Sequence, residues 1–258
     1  MTSKQVMLIA AMGLLGGCNW LEKPVTLASP YQERRIFAVA PLINESGSLQ
    51  ADGFKLADHL ARQLENATNV DVLPVNRTIA AMQDRGWRYI ASHDQAQQLI
   101  LALGADALLV GTITAYDPYD PPKLGVALEL YFNPRAEQRR QTLDLRNLSK
   151  SARGDEVLQG SPLRADRPAA VVSAFFDAAD PGVREALHRY AGKRGVDMDR
   201  QGLDGLNPFD TEAEKHASTL YRISMDLYSQ FVSYELSWRL LRAESVRLMP
   251  AELAQVDP

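Results

Sequence analysis

Three short, almost wholly apolar runs, RIFAVAPL at 35–42, VDVLPV at 70–75 and ADALLVGTITAY at 105–116, alternate with segments whose apolar residues recur every three or four positions. No other feature limits the fold as tightly. Such runs, bounded by turn-forming residues, read as strands covered on both faces. Between the first two, Phe54, Leu56, Leu60 and Leu64 with Ala57 and Ala61 oppose Asp58, Arg62 and Glu65, the pattern of an amphipathic helix. Pro74 marks the second run as an edge strand or a strand end. Asn76 is expected to cap a helix that runs through Met82 and closes at Gly86. Ser92 and Gln95 form a capping box for another helix, which Gly104 stops.

The segment YDPYDPP at 116–122 has to turn. Residues 123–132 then alternate, with Leu124, Val126, Leu128, Leu130 and Phe132 on one face, as a half-buried antiparallel strand does. The weaker alternation of QTLDLRNL at 141–148 offers it a hairpin partner. AVVSAFF at 170–176 reads as a further strand, and Asp180-Pro181 opens a helix to about Lys193. From 211 to 244 the residues Leu220, Ile223, Leu227, Phe231, Tyr234, Trp238 and Leu241 fall on one stripe of a single long helix. Two roles are open for that stripe, packing on the sheet or meeting a partner. The expected fold is α/β, a mixed sheet flanked by helices with a long C-terminal helix.

The chain opens differently. Residues 6–17 (VMLIAAMGLLGG) carry no charge, follow Lys4, and end at Cys18, the one cysteine of 258 residues. A run of about twelve residues suits the apolar region of a secretory signal and is short of the roughly 20 that a membrane-spanning helix needs. The ending Leu15-Gly16-Gly17-Cys18 resembles the bacterial lipoprotein lipobox. That resemblance implies cleavage before Cys18, acylation (palmitate among the acyl groups) of its thiol and new amino terminus, and a protein tethered on the periplasmic side. The alternative is a buried free thiol in a first helix. Asn19 in second place, and not an aspartate, implies sorting to the outer membrane.

Residues 1–17 hold Lys4 as their only charged side chain, so their removal takes the formal net charge from −4 to −5. That charge leaves no electrostatic footprint for nucleic acid, and no disulfide can form within the mature chain. The expected organisation is a signal peptide at 1–17, a lipidated tether at 18–34 and an α/β domain at 35–250, followed by a tail at 251–258. Within the domain, 35–132 is the core, 133–167 an irregular insertion and 168–250 a strand-helix and long-helix extension.

The order strand, helix, strand, helix, helix, strand, strand over 35–132, with the pieces IFAVAPLINESG, VDVLPVNRTIAAM and LGADALLVGTITAYD, resembles a recurrent envelope-protein domain. It is shared by the curli secretion channel, the Pel polysaccharide export lipoprotein, the penicillin-binding-protein activator lipoprotein and the amino-terminal domain of TolB. The second half resembles uncharacterised planctomycete lipoproteins. The first resemblance implies a TolB-like core and a protein that works by assembly, as a homo-oligomer or with an envelope partner.

Catalytic signals are sparse. No G-x-S-x-G occurs and no P-loop. His59, His93, His188 and His216 are far apart, at no metal-ligand spacing, and are expected to face solvent or cap helices. No metal and no cofactor are expected. The turn holding Tyr116, Asp117, Tyr119 and Asp120 suits a contact surface, and equally a proline-stiffened turn. Trp87 beside Arg88 has the composition of an interface anchor, or of cover for a sheet edge. The expectation is a lipid-anchored, non-catalytic envelope protein. The alternative is an enzyme or enzyme activator working on cell-wall or polysaccharide substrates.

Overall fold

The computed structural model describes residues 26–134, 136, 167–198 and 218–248. Cys18, the signal, the 141–148 segment, His216 and the tail lie outside the described residues. Strands β1 (Arg35–Val39), β2 (Ile43–Asn44), β3 (Val70–Val72), β4 (Ala107–Asp117), β5 (Lys123–Phe132) and β6 (Ala170–Asp177) form one mixed sheet. Its order is β3-β1-β4-β5-β6, with β2 on β4. β1 pairs in parallel with β3 and β4, whereas β4–β5 and β5–β6 are antiparallel. The helices are α1 (Gly53–Glu65), α2 (Val75–Gln83), α3 (His93–Leu103), α4 (Pro181–Met198) and α5 (Met225–Leu248).

Two hydrophobic clusters, one per face, make three layers. Phe37, Leu109, Leu128 and Phe176 pack with α1, α4 and α5 on one side. Ala38, Leu108 and Val110 pack with α2 and α3 on the other. A strand run that is apolar at every position is what a sheet covered on both faces requires.

Local chemistry sets the element ends. Asp106 accepts the Ile36 N–H at 2.8 Å while its own N–H donates to the Ile36 carbonyl, locking β4 beside β1. Asn44 donates to the carbonyls of Ser48 and Ala51 and accepts from Ser46, folding the approach to α1. Asp52 then caps α1 by accepting from the N–H groups of Phe54 and Lys55. At Gly53 the Leu42 carbonyl oxygen occupies the space a β-carbon would need. Leu42 also donates its N–H to the Gly53 carbonyl, so the two backbones touch. Ser92 caps α3, and Gly104 ends it in the left-handed conformation at φ 65°.

Several expectations need correction. Phe54 is 56% exposed, while His59 and Gln63 take part in the buried face of α1. Pro74, not Asn76, precedes the first turn of α2. β5 is paired on both edges, by β4 and β6, and this leaves no edge of Lys123–Leu130 for a strand at 141–148. The tether was expected to reach residue 34, yet Leu27 and Tyr31 are buried in the main cluster, Tyr31 against Phe37 and Phe132. The long helix is interrupted at Ser224, whose hydroxyl accepts from Leu227 N–H and so restarts α5 with its own cap. The buried face of α5 also departs from the expected stripe. Phe231 and Leu241 are buried together with Tyr228, Leu236 and Leu240, but Ile223 and Trp238 face solvent.

Candidate functional site

In open α/β sheets ligand crevices form beyond the carboxyl ends of parallel strands, where successive connections leave to opposite sides. Here β1 feeds α1 on one face and β3 feeds α2 and α3 on the other, so that point lies between the ends of β1 and β4. A cavity of about 220 Å³ sits at this end of the molecule, between the start of α1, the end of β4 and the start of α5. Its walls include Lys55, His59, Ile113, Tyr116, Leu124 and Asp226.

Asp226 is the hub. Its Oδ1 receives Lys55 Nζ at 2.8 Å and His59 Nε2 at 3.0 Å, and its Oδ2 accepts from Gln230. The hydrogen bond from Lys55, followed by that from His59, holds the Asp226 carboxyl below its usual range. The same bond raises the Lys55 pKa. His59 is 3% exposed, and burial pushes its pKa down despite the carboxylate. A carboxylate only accepts, so the neutral imidazole carries its proton on Nε2. Among the described residues His59 Nδ1 is buried without a hydrogen-bond partner. Burial raises the Tyr116 pKa, which keeps the phenol protonated beside Lys55.

The arrangement clamps α1 to α5 through one carboxylate and leaves a small polar recess under Tyr116. Asp226 Oδ1 takes both cationic-side contacts and Asp52 Oδ1 caps α1, so one oxygen of each carboxylate is committed to holding the helices. His59 does not fit the solvent-facing or capping role expected of it. Nothing local could have revealed this, since its partner is 167 residues away. His93 is exposed at the start of α3, with Nδ1 2.6 Å from the Tyr131 hydroxyl, which itself donates to Glu129. Among the described residues, no three His, Cys, Asp or Glu side chains could hold a metal ion.

The clamp gives a pH signature. Because the folded pKa of His59 lies below its ordinary 6.5, the unfolded chain binds a proton there that the folded chain refuses. The unfolding free energy should be flat in this contribution above pH 6.5 and fall as pH drops from 6.5 toward the folded pKa. Asp226 adds stability present above its ordinary 3.8, which is lost as pH falls further. Urea unfolding at about pH 8, 7, 6 and 5, across the imidazole range, should show a shallower dependence of stability on pH for His59→Gln than for the native chain.

Tyr116, Asp117, Tyr119 and Asp120 are brought together at the rim of this end. Asp117 faces Lys123 across the hairpin and accepts the Tyr119 N–H. Tyr119 is 74% exposed. Asp120 forms an ion pair with Arg222 at 3.2 Å, which ties the turn to the segment before α5. Trp87 is not part of this group. It packs on the α2/α3 cluster with the Arg85 guanidinium 5.8 Å from its ring centre.

No protein-family model matches the chain, and no curated protein matches it. Among solved structures it is similar to lipoprotein GNA1162 from Neisseria meningitidis, at 15% identity over 66% of this chain and 99% of that one, with a TM-score of 0.38. The LpoB C-terminal domain from Salmonella enterica aligns at 15% identity over 49% of this chain and 83% of that one, TM-score 0.32. The PelC dodecamer from Paraburkholderia phytofirmans aligns at 18% identity over 41% of this chain and 66% of that one, TM-score 0.27.

Proposed function

We propose that the protein is a lipid-anchored, non-catalytic component of the bacterial envelope, held at the periplasmic face of the outer membrane, which binds or assembles with secretion, export or other envelope components. The observation that carries this is the uncharged run 6–17 ending in Leu15-Gly16-Gly17-Cys18, where the chain's one cysteine stands at the position that lipid attachment uses. At about 0.8 kcal/mol per buried methylene, one long acyl chain contributes on the order of 10 kcal/mol of anchoring, and a second makes it lasting. Among the described residues no helix is long and apolar enough to cross a membrane. Tyr119, 74% exposed at the rim, is a side chain that a partner can reach.

Membrane fractionation tests the anchor. The native chain should sediment with outer membranes and resist high salt, whereas Cys18→Ser should leave that fraction. Salt extraction of the native chain, or an unchanged distribution for Cys18→Ser, would rule the anchor out.

A further inference from the structure

A second hollow, of about 250 Å³, lies between α4 and α5, away from the Asp226 clamp. Tyr190, Tyr234 and Trp238 line it, together with Arg189, Lys193 and Glu235. The Tyr190 and Tyr234 rings stand 5.0 Å apart, and Tyr190 reaches on to Tyr221 and Phe231, which fixes the aromatic floor to the core. Trp238 is 42% exposed, and the Arg242 guanidinium is 5.3 Å from its ring centre. Arg194 sits likewise over Tyr190 at 5.0 Å.

The charge of this region runs against that of the molecule. The chain carries a formal net charge of −4, yet Arg189 and Lys193 line the hollow, with Arg194 over its Tyr190 and Arg242 over its Trp238, against Glu235 in the lining and Glu185 paired with Arg189. Glu185 holds Arg189 at 2.6 Å, but both side chains are mostly exposed, and such surface pairs exchange at little cost. Burial pushes the Glu235 pKa up, which weakens the one carboxylate on the floor. Tyrosine, tryptophan and arginine around one recess is the composition of an interface anchor site.

We propose that the α4/α5 groove docks an acidic segment of a partner protein, with an aromatic or apolar side chain set against Tyr190, Tyr234 and Trp238 and carboxylates met by Arg189 and Lys193. The inference rests on the reading that this protein works by binding, and it names the surface and the partner chemistry. A lipid surface would meet the cations without needing the recess, and an uncharged glycan would not need the cations.

The test uses the detergent-purified full chain and fluorescein-labelled random copolymer of glutamate and tyrosine, read by anisotropy. Polyglutamate, polygalacturonate and vesicles containing phosphatidylglycerol serve as comparison probes. The copolymer should bind saturably and more tightly than polyglutamate. Affinity should fall by about ten-fold or more in Arg189→Glu/Lys193→Glu and in Trp238→Ala. The two charge reversals are on exposed side chains, and their circular dichroism should match the native chain, so loss of binding would not be loss of fold. Absence of saturable binding, or equal affinity of native and charge-reversed chains, overturns the proposal. So does tighter binding to polygalacturonate or to the vesicles, lost in the same variants, which would reassign the groove to a glycan or a lipid headgroup. None of these readings depends on whether Cys18 is acylated, so the anchor and the groove fail separately.

Discussion

Alanine at position 53 is expected to lower the unfolding free energy by about 3 kcal/mol or more, because its β-carbon has nowhere to go. The group in its way is the Leu42 carbonyl, main chain rather than the far end of a flexible side chain. The segment 40–42 is held in turn by the bond from the Ala40 N–H to Leu109 and by β2 on β4. Overpacking in a well-filled region costs about 1–3 kcal/mol when side chains can adjust, and here the backbone itself has to shift. The comparison is Gly47→Ala, where a β-carbon meets nothing but φ is +75°. That change should cost only about 1 kcal/mol of conformational strain. For a domain of this size the Gly53 variant should melt roughly 6–12 °C lower. Equal melting temperatures for the two variants would contradict the close approach of α1 to the end of β1.

The second large effect is expected at Glu244. Its side chain is fully buried, bonded at 2.9 and 2.7 Å by Arg247 and at 3.2 Å by the Tyr31 hydroxyl. Around it the Arg35 and Arg247 guanidinium groups lie over the Phe132 ring at 5.8 and 5.4 Å. This knot ties the segment before β1 to the last turns of α5. Glu244→Leu should cost about 3–5 kcal/mol, since it leaves the arginine charge buried without its carboxylate. Glu244→Leu/Arg247→Met should recover at least half of that, because replacing both partners with apolar groups removes the uncompensated charge. Guanidinium denaturation of the native chain, Glu244→Leu, Arg247→Met and the double variant measures the coupling. Additive losses would mean that the pair contributes only packing.

What was legible in the sequence is what local chemistry decides. β5 begins and ends where the alternation of Leu124 to Phe132 says it does, and α3 starts and stops at Ser92 and Gly104 because caps are short-range devices. The mixed sheet with its long C-terminal helix follows from those periods. The contacts that join distant segments were not legible. Tyr31 looked like part of a tether because its partner Glu244 stands 213 residues away. His59 looked like a surface histidine for the same reason, and the clamp at Asp226 went unseen with it. On α5 both faces carry apolar residues, so periodicity alone could not choose between the Trp238 line and the Tyr228, Leu236 and Leu240 line. Packing of Tyr228, Leu236 and Leu240 into the main cluster decided it. The pairing of β6 with β5 spans the insertion, and no sequence period reports which strand returns to an edge.

The central claim is that Cys18 becomes the acylated first residue of a tethered protein. The most direct measurement is tandem mass spectrometry of the amino-terminal peptide released from the membrane fraction of cells making the native chain. The expected peptide begins at Cys18 and carries diacylglyceryl and acyl masses on that residue. A peptide that reads through Gly17 into an unmodified Cys18 would contradict it.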